Sequence, residues 1–413
     1  MAAHDLELRR MPYPFRAVLA ICSDLDETPD GPAYLEIMRF LNTTAETSMG
    51  PGVGLEVGNS LYFDMPPGQF SYRNTDEAGR EMVRALIRSG HIDCLHSYGD
   101  LATTRDDARR ALDELAGHDC RLGVWVDHGT AASNFGSDIM QGHGDEPGHA
   151  AYHADLAVGY GIQYVWRGRV TSVIGQDAAP RLSGIFSPRR PLRSAKTVAK
   201  ELAKQTLARR GHEKYAMHAT NDVLRPVQLR DGSAVYEFLR SNPHWGGVSA
   251  GDTARGIGAV LSDSFLKHLV ERQGVCVLYT HLGKTGDPRV PFDPAARAGF
   301  RRLAEASRRG EVLVATTRRL LGYCRARREI DFIASAGNEN RHIALNTAPS
   351  GGAIGRPLAV SDLAGLTFYT AKPEVTRITV DGRDVANLVC NPPNQTGRRS
   401  VSLPWTRLEF PGL

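Results

Sequence analysis

The chain has no Cys-x-x-Cys pair, no long apolar run and hardly any excess of one charge. Its six cysteines (Cys22, Cys94, Cys120, Cys276, Cys324, Cys390) lie far apart, which argues against a four-cysteine zinc site and against a dense disulfide scaffold. No stretch of about 18 apolar residues is present to cross a bilayer, so no membrane span is expected. The start, MAAHDLELRRM, is polar and lacks the apolar core of a secretory signal, and a cytoplasmic protein with reduced thiols is expected. With 50 Lys+Arg against 46 Asp+Glu the net charge is only +4, too small for a nucleic-acid footprint. The 42 glycines follow no collagen period, and no repeat of about 20–50 residues occurs. Gly50-Pro51-Gly52-Val53-Gly54 precedes a strand, the wrong context for a dinucleotide loop. Gly283-Lys284-Thr285 lacks the upstream glycine of a phosphate loop.

What is present is material for a large core: 413 residues, 41% hydrophobic and 23% charged, enough for two domains. Short apolar runs predict strands at RAVLAIC (16–22), VGNSLYF (57–63), HIDCLH (91–96), LGVWVDH (122–128), IQYVWRG (162–168), VCVLYTH (275–281) and EVLVAT (311–316). Helical spacing predicts helices between them, near Pro32–Leu41, Thr75–Arg88, 104–116, His149–Tyr160, Asp263–Arg272 and Pro294–Arg308. The second of these takes Thr75 as N-cap and Gly90 as stop. Repeated βα units make a parallel sheet, and over residues 1–330 a closed or partly closed (β/α) barrel fits best. From 331 to 413 the helical period disappears. HIALNTA (342–348), GLTFYTA (365–371), TRITV (376–380) and RRSVSL (398–403) predict a small β-rich, sandwich-like domain, with Asp381-Gly382 as a hairpin turn.

Polar residues recur where the barrel strands end: Asp24 and Asp26, His96, Asp127 and His128, and His281. In such barrels the C-terminal strand ends carry the site. Asp24 and Asp26 alternate onto one face, so two carboxylates share a small volume, which is costly unless a metal or a proton separates them. The plainer alternative is a solvated loop whose aspartate caps the next helix. The order of strand, Asp24-Leu25-Asp26, helix, then Gly90-His91 and His96-Ser97-Tyr98, with Leu278-Tyr279-Thr280-His281 late in the chain, resembles the polysaccharide deacetylases (carbohydrate esterase family four). The resemblance spans roughly residues 16–325, and VLVATTRRLLGY (312–323) is similar to the last strand and helix of that barrel.

The resemblance implies a distorted barrel of that type and a metal-dependent hydrolase that removes N-acetyl from an amino sugar or glycoconjugate. It makes Asp24 the catalytic base, Asp26 and His96 metal ligands, and His281 the acid that protonates the leaving amine. Where the family has a second histidine four residues after the first, this chain has Asp100. A divalent metal, zinc in the first instance, is implied, but a donor set with two carboxylates is harder, and the metal's identity stays open. His128 is the other candidate for the missing ligand, with Asp127 beside it as a substrate contact. His149 and His153, four apart on an expected helix, are a further pair, and His153 is a candidate substrate contact. Trp166-Arg167 follows a strand toward the same rim, where it would stack on a sugar and pair with an anion. The basic stretch from Arg189 to Lys214 reads as a solvated helix or as a docking surface for a polyanion. Two rivals remain: hydrolysis of another non-peptide C–N bond, such as a cyclic amide or formamide, and a silent carbohydrate-binding homologue. Homo-oligomer formation is left open.

Overall fold

A strand buried on both faces needs an unbroken apolar run, and AVLAICS supplies one: β1 (Ala17–Ser23) is buried at every position. The computed structural model describes residues 6–24, 28–180, 182, 185, 191–242, 253–336, 341–348 and 352–413. The same sheet holds, in chain order, β2 (Asn59–Leu61), β3 (Ile92–His96), β4 (Val124–Val126), β5 (Tyr164–Trp166), β6 (Val170–Thr171), β7 (Leu224–Gln228), β8 (Ala234–Phe238), β9 (Arg240–Ser241), β10 (Val275–Thr280) and β11 (Val312–Val314). Their spatial order is β7-β8-β5-β4-β3-β2-β1-β10-β9-β6, with β11 also paired to β1. All neighbours are parallel except the β7–β8 hairpin. Leu239 alone separates β8, which pairs with β5, from β9, which pairs with β10. The sheet is therefore curled and compatible with a distorted barrel.

Alternation splits the sheet into two faces. Leu19, Ile21, Leu95, Trp125, Val165 and Leu278 share one cluster with helices α1 (Gly31–Asn42), α2 (Glu77–Arg88), α3 (Arg105–Gly117), α4 (Ala154–Tyr160), α6 (Asp263–Glu271) and α7 (Pro294–Arg308); α5 (Pro191–Arg209) lies apart from that cluster. The other face carries Val18, Ala20, Cys22, Val124, Val126, Tyr164 and Trp166, and packs on Leu320, Leu321, Tyr323 and Cys324 of α8 (Thr317–Glu329).

Beyond Ile330 the chain builds two four-stranded sheets. One orders Asp331–Ala336, Arg341–Asn346, Thr376–Val380 and Arg383–Asp384. The other takes Thr367–Tyr369, Ser400–Ser402 and Val389–Asn391, together with the early strand Glu7–Leu8. Ile343, Leu345, Phe368 and Val401 belong to the same cluster as α8, so the β-rich part packs onto it continuously. Asp381 and Gly382 both have positive φ (48° and 78°), the turn geometry that this dipeptide favours.

Two expectations shift, and one element is new. Helix α2 is capped by Asp76, whose carboxylate accepts from Gly79 N at 2.8 Å, and not by Thr75. The expected helix from His149 begins only at Ala154, so His149 and His153 do not share a helical face. The β7–β8 hairpin was not foreseen, although Asp231-Gly232 marks its turn; Pro226 is tolerated because β7 is an edge strand.

Candidate active site

β1 and β10 run in register to their ends, Ser23 opposite Thr280. Asp24 N donates to Thr280 O (2.9 Å) and Leu282 N to Ser23 Oγ (3.1 Å), so Asp24 and His281 leave the sheet side by side. The Asp24 side chain is fully buried. Arg240, at the start of β9, grips it with two hydrogen bonds: Nη1 to Oδ2 at 2.9 Å and Nη2 to Oδ1 at 3.1 Å. The same guanidinium donates to Cys22 Sγ and rests over the rings of Trp166 (4.2 Å) and Tyr279 (4.9 Å). His96 Nδ1 lies 3.5 Å from Asp24 Oδ1, and His281 Nε2 lies 4.0 Å from Asp24 Oδ2. Burial alone would raise the Asp24 carboxyl. The Arg240 charge, helped by His96 and His281, outweighs it and holds the group down at about 2. Burial pushes His96 well below the ordinary imidazole value.

A second layer extends from His96. Its ring lies 4.9 Å from that of His128, and Tyr62 from the end of β2 packs on both, its hydroxyl 3.5 Å from His96 Nε2. His128 Nδ1 is 3.2 Å from Asp100 Oδ1. The turn that delivers Asp100 is tight: Ser97 has φ 45° and Gly99 φ 96°, and a Cβ on Gly99 would run into the Asp64 carbonyl. The loop that delivers His128 is stapled by Asn134, whose Oδ1 accepts from His128 N (2.9 Å) and whose Nδ2 donates to His128 O (3.1 Å). Asp24, His96, Asp100, His128 and His281 thus form one contiguous group at the C-terminal strand ends. Asp26 lies outside the described residues.

The remaining candidates are occupied elsewhere. Asp127 is buried and accepts from Trp125 Nε1 (2.7 Å), Phe135 N and Gly136 N (2.9 Å each), so its carboxylate folds the loop behind His128. Burial pushes its carboxyl up to about 7, against those hydrogen bonds. Trp166 offers its ring to Arg240 and its Nε1 to Arg169 O. Arg167 is tied to buried Glu237, which also pairs with Arg169 and Arg225. His149 stacks on His143 at 4.1 Å.

His153 is fully buried among Tyr98, Trp125 and Phe135. Its Nδ1 meets the Tyr98 hydroxyl (3.0 Å) and its Nε2 the Ser133 carbonyl (2.8 Å), which leaves no nitrogen for a metal or substrate. Burial lowers both His153 and His91 to about 4. Each imidazole is then neutral in the fold, yet binds a proton near pH 6.5 once unfolded. Stability contributed by these residues is therefore complete above about 6.5 and lost as pH falls toward 4, by about 2–3 kcal/mol each. Denaturant titrations from pH 7 to pH 4.5 should show this decline, and His153→Phe should flatten it; an unchanged slope in the variant would remove His153 as its source.

Two observations bear on a metal. Nδ1 of His96 faces Asp24 Oδ1 (3.5 Å) and Nδ1 of His128 faces Asp100 Oδ1 (3.2 Å), which sets imidazole and carboxylate donors side by side. Against that, no three His, Cys, Asp or Glu side chains converge as a ready coordination group among the described residues. Imidazole and carboxylate are donor types that suit a divalent cation, and His96, His128 and the nearby carboxylates would be the residues to hold one. Arg240 and Tyr62 had not been singled out from the sequence. Arg240 was detectable, because alternation places it on the apolar face of Tyr236 and Phe238, where a charge requires a partner. Tyr62 carried no such signal. Comparison of the chain with family models, with curated proteins and with solved structures found no match.

Proposed function

We propose that the protein is a metal-dependent amide hydrolase that removes an N-acetyl group from an amino sugar or glycoconjugate. The observation that carries this reading is the meeting of Asp24 with His96 on one carboxylate oxygen and His281 on the other, at the C-terminal ends of three parallel strands. A divalent cation held beside His96 and His128 would supply Lewis-acid polarisation of the amide carbonyl. Asp24, kept ionised by Arg240, takes the proton of the attacking water. That pairing favours the ionised carboxylate and lowers its basicity. His281, with the Tyr279 hydroxyl 3.3 Å from its Nε2, protonates the departing nitrogen, since an amine anion cannot leave near neutrality. His128 and Tyr62 line the approach to His96.

The test is elemental analysis of the purified protein, followed by incubation with N-acetylated amino sugars and their glycoconjugates. The expected result is a bound divalent metal and the release of acetate and free amine in equal amounts, abolished by chelation. Opening of a cyclic amide or formamide in place of acetate release would transfer the site to that chemistry. Metal-free protein that binds sugars without turnover would make it a silent homologue.

A further inference from the structure

Helix α5 is buried the wrong way round. Its inward residues are polar: Ser194, Glu201 and Gln205. Glu201 accepts from Thr171 Oγ1 (3.0 Å) and Lys204 Nζ (2.8 Å) and lies 3.4 Å from His218 Nδ1. Lys204 Nζ also donates to Val170 O (2.8 Å). These contacts fasten the helix to β6, which pairs with β9 and so lies one strand from Arg240. The outward side carries the apolar residues: Leu192 is 86% exposed and Leu202 49%, with Ala195, Ala199 and Ala203 between them on the helical projection. Arg193, Lys196, Lys200 and Arg209 flank that stripe, all exposed, and none has an acidic partner among the described residues. Glu201 is the sole acidic residue of the helix, and it faces inward.

We infer that α5 is a docking face for an anionic phospholipid surface. The exposed leucines and the unpaired cations together disfavour two other occupants. A soluble polyanion satisfies the four cations but leaves Leu192 and Leu202 in water. A second copy of this chain, packed about a two-fold axis, would set like charges against like. An interfacial bilayer accepts both, with the leucines entering the acyl boundary and the lysine and arginine stems reaching out to the head groups. The helix is too polar to span, in keeping with the lack of any helix long and apolar enough to cross a membrane among the described residues. This inference does not rest on the hydrolase reading, since it uses none of its residues.

The experiment is co-sedimentation of the full chain with vesicles of phosphatidylcholine alone and of phosphatidylcholine mixed with phosphatidylglycerol. Binding is expected only to the mixed vesicles and is expected to fall with added salt. Lys196→Glu/Lys200→Glu should weaken it by about a hundredfold or more, because each basic side chain near an anionic leaflet is worth a several-fold factor in affinity. Leu192→Ser/Leu202→Ser should weaken it by about tenfold. Both pairs are solvent-exposed, so folding is preserved. Arg109→Glu, on the surface of α3, is the charge control and should bind as the parent does. Equal binding by the Lys196→Glu/Lys200→Glu variant would overturn the inference. A loss in that variant with none in the leucine variant would also overturn it, in favour of an acidic soluble partner.

Discussion

Asp24→Asn should reduce turnover by about 10²–10⁴-fold, the range expected when a positioned proton acceptor is removed. Asparagine keeps the size of the side chain and one acceptor oxygen, but its amide nitrogen would face a guanidinium N–H of Arg240, donor against donor. The same variant should therefore also lose stability, and activity must be compared under conditions where both forms are folded. His281→Gln separates the two effects. His281 is not part of the Asp24–Arg240 pair, so this substitution should cost a similar factor in turnover with little change in the denaturation midpoint. A further signature belongs to the acid role alone. Substrates whose leaving nitrogen is more acidic need less protonation, and His281→Gln should recover on them whereas Asp24→Asn should not. If His281→Gln lost activity equally on every substrate, His281 would be a structural residue and the assignment of the acid would fail.

How much of this site could be read in advance depended on whether a residue's partner lay in the same stretch of chain. The strands that carry Asp24, His96, His128 and His281 are apolar runs broken by a polar residue at the end, and both the run and the break are local signals. Asp127 carries the same local signal, and His153 a four-residue spacing from His149, but the two serve the loop 128–136 and the packing around Trp125, which only their hydrogen-bond partners reveal. The helix expected from His149 failed because the segment before Ala154 spends its backbone in turns, with His153 N and Ala154 N both donating to Gly144 O. Arg240 is 216 residues from Asp24, and their pairing arises only when the sheet curls to bring β9 beside β10. The inverted burial of α5 was invisible for a related reason. The basic stretch reads as a solvated helix or a docking surface, and the contacts that bury Glu201 come from Thr171 and His218, neither of which lies in the helix.

Arg240→Met should be the most destabilising single change in the site, by about 3–5 kcal/mol, because it leaves Asp24 as a buried charge without a partner. Methionine refills much of the volume over Trp166 and Tyr279, so the loss reports charge and not a cavity. The pH dependence fixes the sign. With its folded value near 2 and its unfolded value near 3.8, Asp24 contributes about 2 kcal/mol above pH 4, which is lost as pH falls toward 2. In Arg240→Met, burial is no longer opposed by the guanidinium, the carboxyl shifts upward, and the acid-side loss becomes a gain: the variant should be relatively more stable at low pH than at neutrality. The double variant Asp24→Asn/Arg240→Met completes the cycle. With both charges gone, neither is stranded, and the double variant should be more stable than the sum of the single losses by about 2–3 kcal/mol. Turnover should not return with stability. That divergence is the decisive reading, because a pair that only held the fold together would recover both, and additive losses in urea melts would show that Asp24 and Arg240 are not coupled at all.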